Sequence, residues 1–103
     1  MDENAAYSVG LTDEARRNLE GIFRYVAQNL LEPGAAASLI DELEAGVLSL
    51  QSMPQRCPER QTGIYAGKGY RQLLVKNYTI IFRVEEASRR VIILTIRYSR
   101  SNF

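Results

Sequence analysis

Residues 70–84, Tyr70-Arg71-Gln72-Leu73-Leu74-Val75-Lys76-Asn77-Tyr78-Thr79-Ile80-Ile81-Phe82-Arg83-Val84, decide the fold. Two runs rich in branched and aromatic side chains, which suit a pleated surface, flank the dipeptide Lys76-Asn77. A two-residue connection closes a tight hairpin when a residue in it tolerates positive φ, as Asn does. The spacing predicts antiparallel strands over Tyr70–Val75 and Tyr78–Val84. In the second, Tyr78, Ile80, Phe82 and Val84 alternate with Thr79, Ile81 and Arg83, the period of two that separates the faces of a strand. Glu85–Arg90 then reads as a looser turn and Val91–Tyr98 as a third strand. Its even positions, Ile92, Leu94, Ile96 and Tyr98, are expected on the buried face with the even set of the preceding strand. That leaves Arg83 and Arg97 together on the opposite, open face, where Arg71 could join them.

Upstream, residues 55–69 are polar, carry Pro58, Gly63, Gly67 and Lys68, and show no sustained period. They read as a loop with a short strand at Gly63–Ala66. Before that the period is helical. Ala36, Leu39, Ile40, Leu43, Val47 and Leu50 mark one apolar stripe, and Ala15, Leu19, Ile22, Phe23, Val26 and Leu30 mark another. Thr12 offers a side-chain oxygen to the free amides of the first helix, with Asp13 and Glu14 in its first turn. Arg16, Glu20 and Arg24 are spaced as i,i+4 pairs on the solvent side. Pro33-Gly34 separates the helices, because Pro fits a first turn and not an interior. Two helices this close in sequence are expected to form an antiparallel hairpin with facing stripes. Tyr7–Leu11 alternates as a short edge strand. The fold class is α+β: a short N-terminal strand, an α-helical hairpin and a three-stranded antiparallel meander, in one domain over residues 1–103. One sheet face packs on the helices and the other is free for a partner.

A chain of 103 residues, 46% hydrophobic and 24% charged, can build one core without disulfides. The lone Cys57 has no partner within the chain, which fits a reducing compartment. No run approaches the ~18 apolar residues of a membrane span, and Met1-Asp2-Glu3-Asn4 is acidic where a secretory signal is basic. A cytoplasmic protein with no membrane contact is expected. Histidine is absent, which removes Ser/His/Asp and Cys/His catalysis, His-containing metal sites and the usual neutral-pH base. Neither a metal nor a cofactor is expected. The net charge of +1 conceals an asymmetry: residues 1–54 hold nine acidic and three basic side chains, residues 55–103 three acidic and ten basic. An asymmetry of this size points to a nucleic-acid partner, the alternative being that the opposite charges neutralise each other across the packed fold. The basic open face, rimmed by Lys68, Lys76 and Arg100, is the candidate binding surface.

Three stretches resemble the RelE/ParE superfamily of toxins from type II toxin–antitoxin modules. Tyr7-Ser8-Val9-Gly10-Leu11-Thr12 with Ala15 and Leu19 is similar to the family's first strand and helix. Gly69–Val84 is similar to its central hairpin, and Val91–Arg100 to its last strand and the start of its tail. The resemblance implies a growth-arresting, plasmid-stabilising type of toxin, neutralised by a cognate antitoxin, the complex binding operator DNA through that antitoxin. ParE-like members poison DNA gyrase and need no nuclease site. RelE-like members enter the ribosome and cleave mRNA with basic and tyrosine or histidine side chains. This chain departs from the ribonuclease pattern at Thr79, where many such members place an arginine, and at Ser99-Arg100, where some carry a catalytic histidine or tyrosine. The target-binding candidates are Lys68, Arg71, Lys76, Arg83, Arg97 and Arg100. Were the chain a metal-independent mRNA endonuclease, Arg71, Arg83, Arg97 and Tyr98 would be catalytic, with Tyr98 or Lys76 moving the proton and Glu59 the one carboxylate in the preceding loop. Gyrase inhibition is the reading favoured by the missing histidine and Thr79, and the ribosome-dependent nuclease is its alternative. A non-toxic binding module or decayed toxin is the reading of another class. An apolar groove, covered by a partner along the second helix and the Tyr7–Leu11 edge, is also expected.

Overall fold

The computed structural model of the chain describes residues 6–30 and 33–103. The acidic opening Met1–Asn4 and the Leu30 side chain lie outside the described residues. The element order is β1 (Ser8–Leu11), α1 (Asp13–Leu30), α2 (Pro33–Ser49), β2 (Arg71–Val75), β3 (Tyr78–Glu85) and β4 (Arg90–Tyr98). The sheet runs β1-β4-β3-β2, with β1 parallel to β4 and the other pairs antiparallel. β1 is therefore an edge, and the meander has the expected connectivity. None of the described helices is long and apolar enough to cross a membrane.

Thr12 starts α1 from both sides of its hydroxyl. The oxygen accepts the Ala15 N–H at 3.1 Å and the O–H donates to the Leu94 carbonyl at 2.9 Å. The cap thus ties the helix start to β4. Arg16 pairs with Asp13 at 3.1 Å, and among the described residues neither expected i,i+4 pair forms. Ala15, Ala36, Leu43 and Leu50 are wholly buried, and Ala15, Leu43 and Leu50 cluster with Ile80, Phe82, Val91, Ile93 and Ile96. Gly46 allows α2 to lie close on β2, since a Cβ there would stand 2.8 Å from Val75 Cγ2. Phe23 departs from its stripe: it is 44% exposed. Three residues beyond Glu20 and one before Arg24, it sits at the stripe's solvent margin, and it lines the α1/α2 groove instead. In the β2–β3 turn the positive φ falls on Lys76 (54°), and Asn77 has none.

The phase of β4 also differs from the expectation. Ile81 pairs with Thr95 and Phe82 with Ile93, so Leu94 is an extra residue that bulges from the ladder. A bulge moves each side chain beyond it to the other face. Val91 and Ile93 therefore join Ile96 in the core, while Ile92 pairs with Arg83 on the other face. That other face is not open along its middle: Thr79, Ile81 and Thr95 are buried. The strand expected at Gly63–Ala66 is a single 3-10 turn at Gly63–Tyr65. Gly63 has φ +78°, outside the strand region, and the Ala66 N–H folds back on its carbonyl. Strand-like pairing in this loop falls at Glu59, which bridges Arg71.

Candidate functional site

Cross-strand register divides the predicted site residues between the two faces. Arg83 pairs with Ile92 and Arg97 with Thr79, both on the face turned from the helix core. These two positions are four residue steps apart along β3, roughly 13 Å of strand. Arg71 pairs with Phe82, which places it on the core side. Its guanidinium donates to the Cys57 carbonyl at 2.6 Å. Arg71 therefore does not share the face of Arg83 and Arg97, because the pairing of β2 sets Gln72 and Leu74 there. Tyr98 pairs with Tyr78 on the core side, the rings edge to face at 5.8 Å. Lys76 pairs with Glu42 of α2 at 3.5 Å. Lys68 and Arg100 are exposed in two separate turns, and Glu59 is exposed at the bridge to Arg71.

The charges on the outer face are engaged. Arg83 is ion-paired with Glu85 two residues along its strand. Arg97 donates to Thr95 Oγ1 at 3.1 Å, reaches Glu14 at 3.4 Å, and lies 5.6 Å from the centre of the Phe103 ring. The Thr79 and Ser99 hydroxyls are hydrogen-bonded at 2.8 Å, and Thr79 is buried. Beyond the end of β1, the exposed edge of β4 is completed by Asn18. Its Oδ1 accepts the Ile96 N–H at 2.9 Å and the Thr95 hydroxyl at 3.0 Å, standing in for a neighbouring strand. Burial pushes the Tyr78 phenol up, with Tyr25 and Tyr98 adding to the effect. Burial likewise pushes the Cys57 thiol up, against the pull of Arg56 and Arg71. Neither group is poised as a base or nucleophile near neutral pH.

Two concave surfaces stand out. A groove of about 680 Å³ between α1 and α2 is lined by Leu19, Phe23 and Ile40 with Arg16, Arg24 and Glu44 at its rim. It adjoins a pocket of about 350 Å³ against Leu11, Val47 and the exposed Leu48. The second helix and the side of β1 thus contribute to one apolar surface, as the sequence led us to expect. The other, a cleft of about 640 Å³, lies between α1 and the end of the sheet, lined by Arg17, Ile22, Tyr25, Tyr78 and Tyr98. Sequence reasoning missed it. Tyr25, three residues past Ile22, was the available signal, but it lies just off the helical stripe.

A parallel edge strand, a helical hairpin and a bulged antiparallel meander with a basic outer face define a small RelE/ParE-like α+β protein. Among solved structures, the chain is similar to one titled the chromosomal ParDE toxin–antitoxin system from P. aeruginosa, at 22% identity and TM-score 0.74, covering 91% of this chain and 97% of that one. It is also similar to the toxin–antitoxin complex RelBE2 from Mycobacterium tuberculosis, at 19% identity and TM-score 0.60, covering 95% and 97%. The model of the family described as ParE toxin of type II toxin–antitoxin system, parDE, matches residues 9–103. The chain belongs to that family of toxins. No curated protein matches it.

Proposed function

We propose that this chain is a ParE-like toxin that inhibits DNA gyrase by binding, without cleaving RNA, and that a cognate antitoxin neutralises it. One observation carries this reading. The two positions that depart from the ribonuclease pattern, Thr79 and Ser99, meet in space as a hydroxyl pair, with Thr79 buried. Cleavage by a ribose 2′-OH needs a base, an acid and cationic groups around one phosphate. Here Arg71 and Tyr98 lie on the core side of the sheet while Arg83 and Arg97 lie on the other. Four candidate catalytic residues so divided cannot surround one phosphate. The cations serve instead as a docking surface, with Lys68, Arg83 and Arg100 the exposed members.

The antitoxin's place on this reading is the α1/α2 groove. An amphipathic helix can lay its apolar face across Leu19, Phe23, Ile40 and Leu48, with an extended segment beside β1. The test is inhibition of gyrase-catalysed supercoiling by the purified toxin. Inhibition reversed by the antitoxin, and weakened by charge reversal at Lys68, Arg83 and Arg100, is the expected result. Full supercoiling at toxin concentrations that arrest growth would refute it.

A further inference from the structure

Helix α1 has a second working flank. Phe23 faces the α1/α2 groove, whereas Tyr25, two residues on and so roughly 200° around the helix, lines the cleft between α1 and the end of the sheet. In that cleft Tyr25 is 63% exposed and Tyr98 43%, beside the apolar side chains of Ile22 and Ile96. Among the described residues the only tyrosine hydroxyl bonded within the chain is that of Tyr7, so the phenols of Tyr25, Tyr78 and Tyr98 are unclaimed. The Asn18 Oδ1 is spent on β4, which leaves the two N–H donors of its amide at the cleft wall. Arg17 is exposed and, among the described residues, has no carboxylate within ion-pair distance; Glu14, one turn earlier, is paired with Arg97 at 3.4 Å. No acidic side chain lines this cleft.

Gly21 adds an independent observation. A glycine inside a helix is destabilising and is kept where something must come close. A Cβ at Gly21 would meet nothing within 4 Å, so packing within the chain does not call for it, and its bare backbone is part of the cleft wall. The Tyr78 and Tyr98 pair also borders a second hollow of about 420 Å³, with Val26 and Leu39 in its wall and the Lys76–Glu42 pair at its rim. Two hollows on either side of one ring pair suit a chain that presents successive side chains better than one compact ligand. Exposed Tyr and Arg are also the residues that dominate binding between proteins. We propose that this cleft docks an acidic peptide segment of a partner protein, with an apolar side chain in each hollow and a carboxylate at Arg17. The segment supplies the acceptors that Arg17, the Asn18 amide and the phenols lack. Because the cleft and the α1/α2 groove lie on opposite flanks of α1, the antitoxin's seat can be filled at the same time. The inference stands on this geometry independently of the gyrase reading.

The experiment selects a phage-displayed library of random peptides on the immobilised toxin and measures the selected peptides by fluorescence anisotropy. They are expected to carry Asp or Glu beside aromatic or aliphatic residues, and to bind more weakly as salt is raised. Gly21→Leu fills the cleft and should melt no lower than wild type while weakening binding at least tenfold, and Tyr25→Ala should weaken it as much. Selection repeated on Arg17→Glu should turn to basic peptides. Binding should persist on toxin saturated with its antitoxin. Recovery of no peptides or of peptides without an acidic bias, undiminished binding by Gly21→Leu, an unchanged preference with Arg17→Glu, or displacement by the antitoxin would each overturn the proposal. So would self-association of the wild type that Gly21→Leu abolishes, which would give the cleft to a second copy of the chain.

Discussion

Replacing Asn18 by alanine tests how the sheet is finished where β1 stops. Asn18 Oδ1 takes two bonds, from the Ile96 N–H at 2.9 Å and the Thr95 hydroxyl at 3.0 Å. Thr95 and Ile96 are both buried, so the lost acceptor can be replaced only by water entering from the cleft that Asn18 and Ile96 line. A buried donor left without a partner costs about 1–3 kcal/mol. With two such donors and partial relaxation of the Thr95 rotor, the expected loss is about 2–4 kcal/mol. That is a large part of the roughly 5–15 kcal/mol that holds a small domain together. At about 4–8 °C per kcal/mol for a domain of this size, the melting temperature should fall by about 8 °C or more. Thermal unfolding followed by circular dichroism measures it. Asn18→Asp retains the acceptor and should lose much less than Asn18→Ala. A drop of only a degree or two in Asn18→Ala would show that the β4 edge does not depend on this side chain, and would refute the reasoning.

Gly46→Ala should destabilise by about 1–2 kcal/mol in denaturant unfolding, because crowding against Val75 outweighs the roughly 1 kcal/mol that alanine gains over glycine in a helix; a more stable variant would contradict this. Arg71→Ala should cost about 1–2 kcal/mol through the lost bond to the Cys57 carbonyl, whereas Arg83→Ala, losing an exposed pair, should change stability by less than about 0.5 kcal/mol. The reverse order would undo the assignment of faces. Glu86 accepts bonds from Tyr7 at 2.6 Å and Gln55 at 2.8 Å, and these hold its carboxyl below the usual range, with Tyr7 the larger cause. A depressed folded-state pKa gives stability that is present above the unfolded value and lost as pH falls through the folded one. The stability gap between wild type and Glu86→Gln should therefore be widest near neutrality and close in acid, and a gap that widens on acidification would be inconsistent.

The fold was legible where periodicity had a clear phase. Ala15, Leu43 and Val47 announce helix faces by spacing, Ile80 and Phe82 a strand face by alternation, and all are buried as read. In Val91-Ile92-Ile93-Leu94 every residue is apolar, so alternation carries no phase and the bulge at Leu94 leaves no local trace. The Thr12 hydroxyl bonded to the Leu94 carbonyl connects positions 82 residues apart, and no pattern within a window can see it. The site was less legible for the same reason. Arg83 and Arg97 were placed on one face correctly, but Arg71 went to the other because β2 alternates weakly and only pairing with Phe82 sets its side. Phe103 follows the three polar residues Arg100, Ser101 and Asn102, and nothing in that stretch signals that Arg60, Gly63 and Arg97 lie around it. Charge asymmetry located the basic half, while distances alone show which cations are engaged and which are free to meet a target.

The central claim is that the toxin acts by binding and not by cutting RNA. Primer extension on an mRNA under translation in a purified system, with the protein at concentrations that arrest growth, tests it most directly. Intact transcripts are expected, since Arg71 and Tyr98 lie across the sheet from Arg83 and Arg97. Cuts positioned within codons of the translated message would contradict the account and require these residues to assemble in a way the fold does not present.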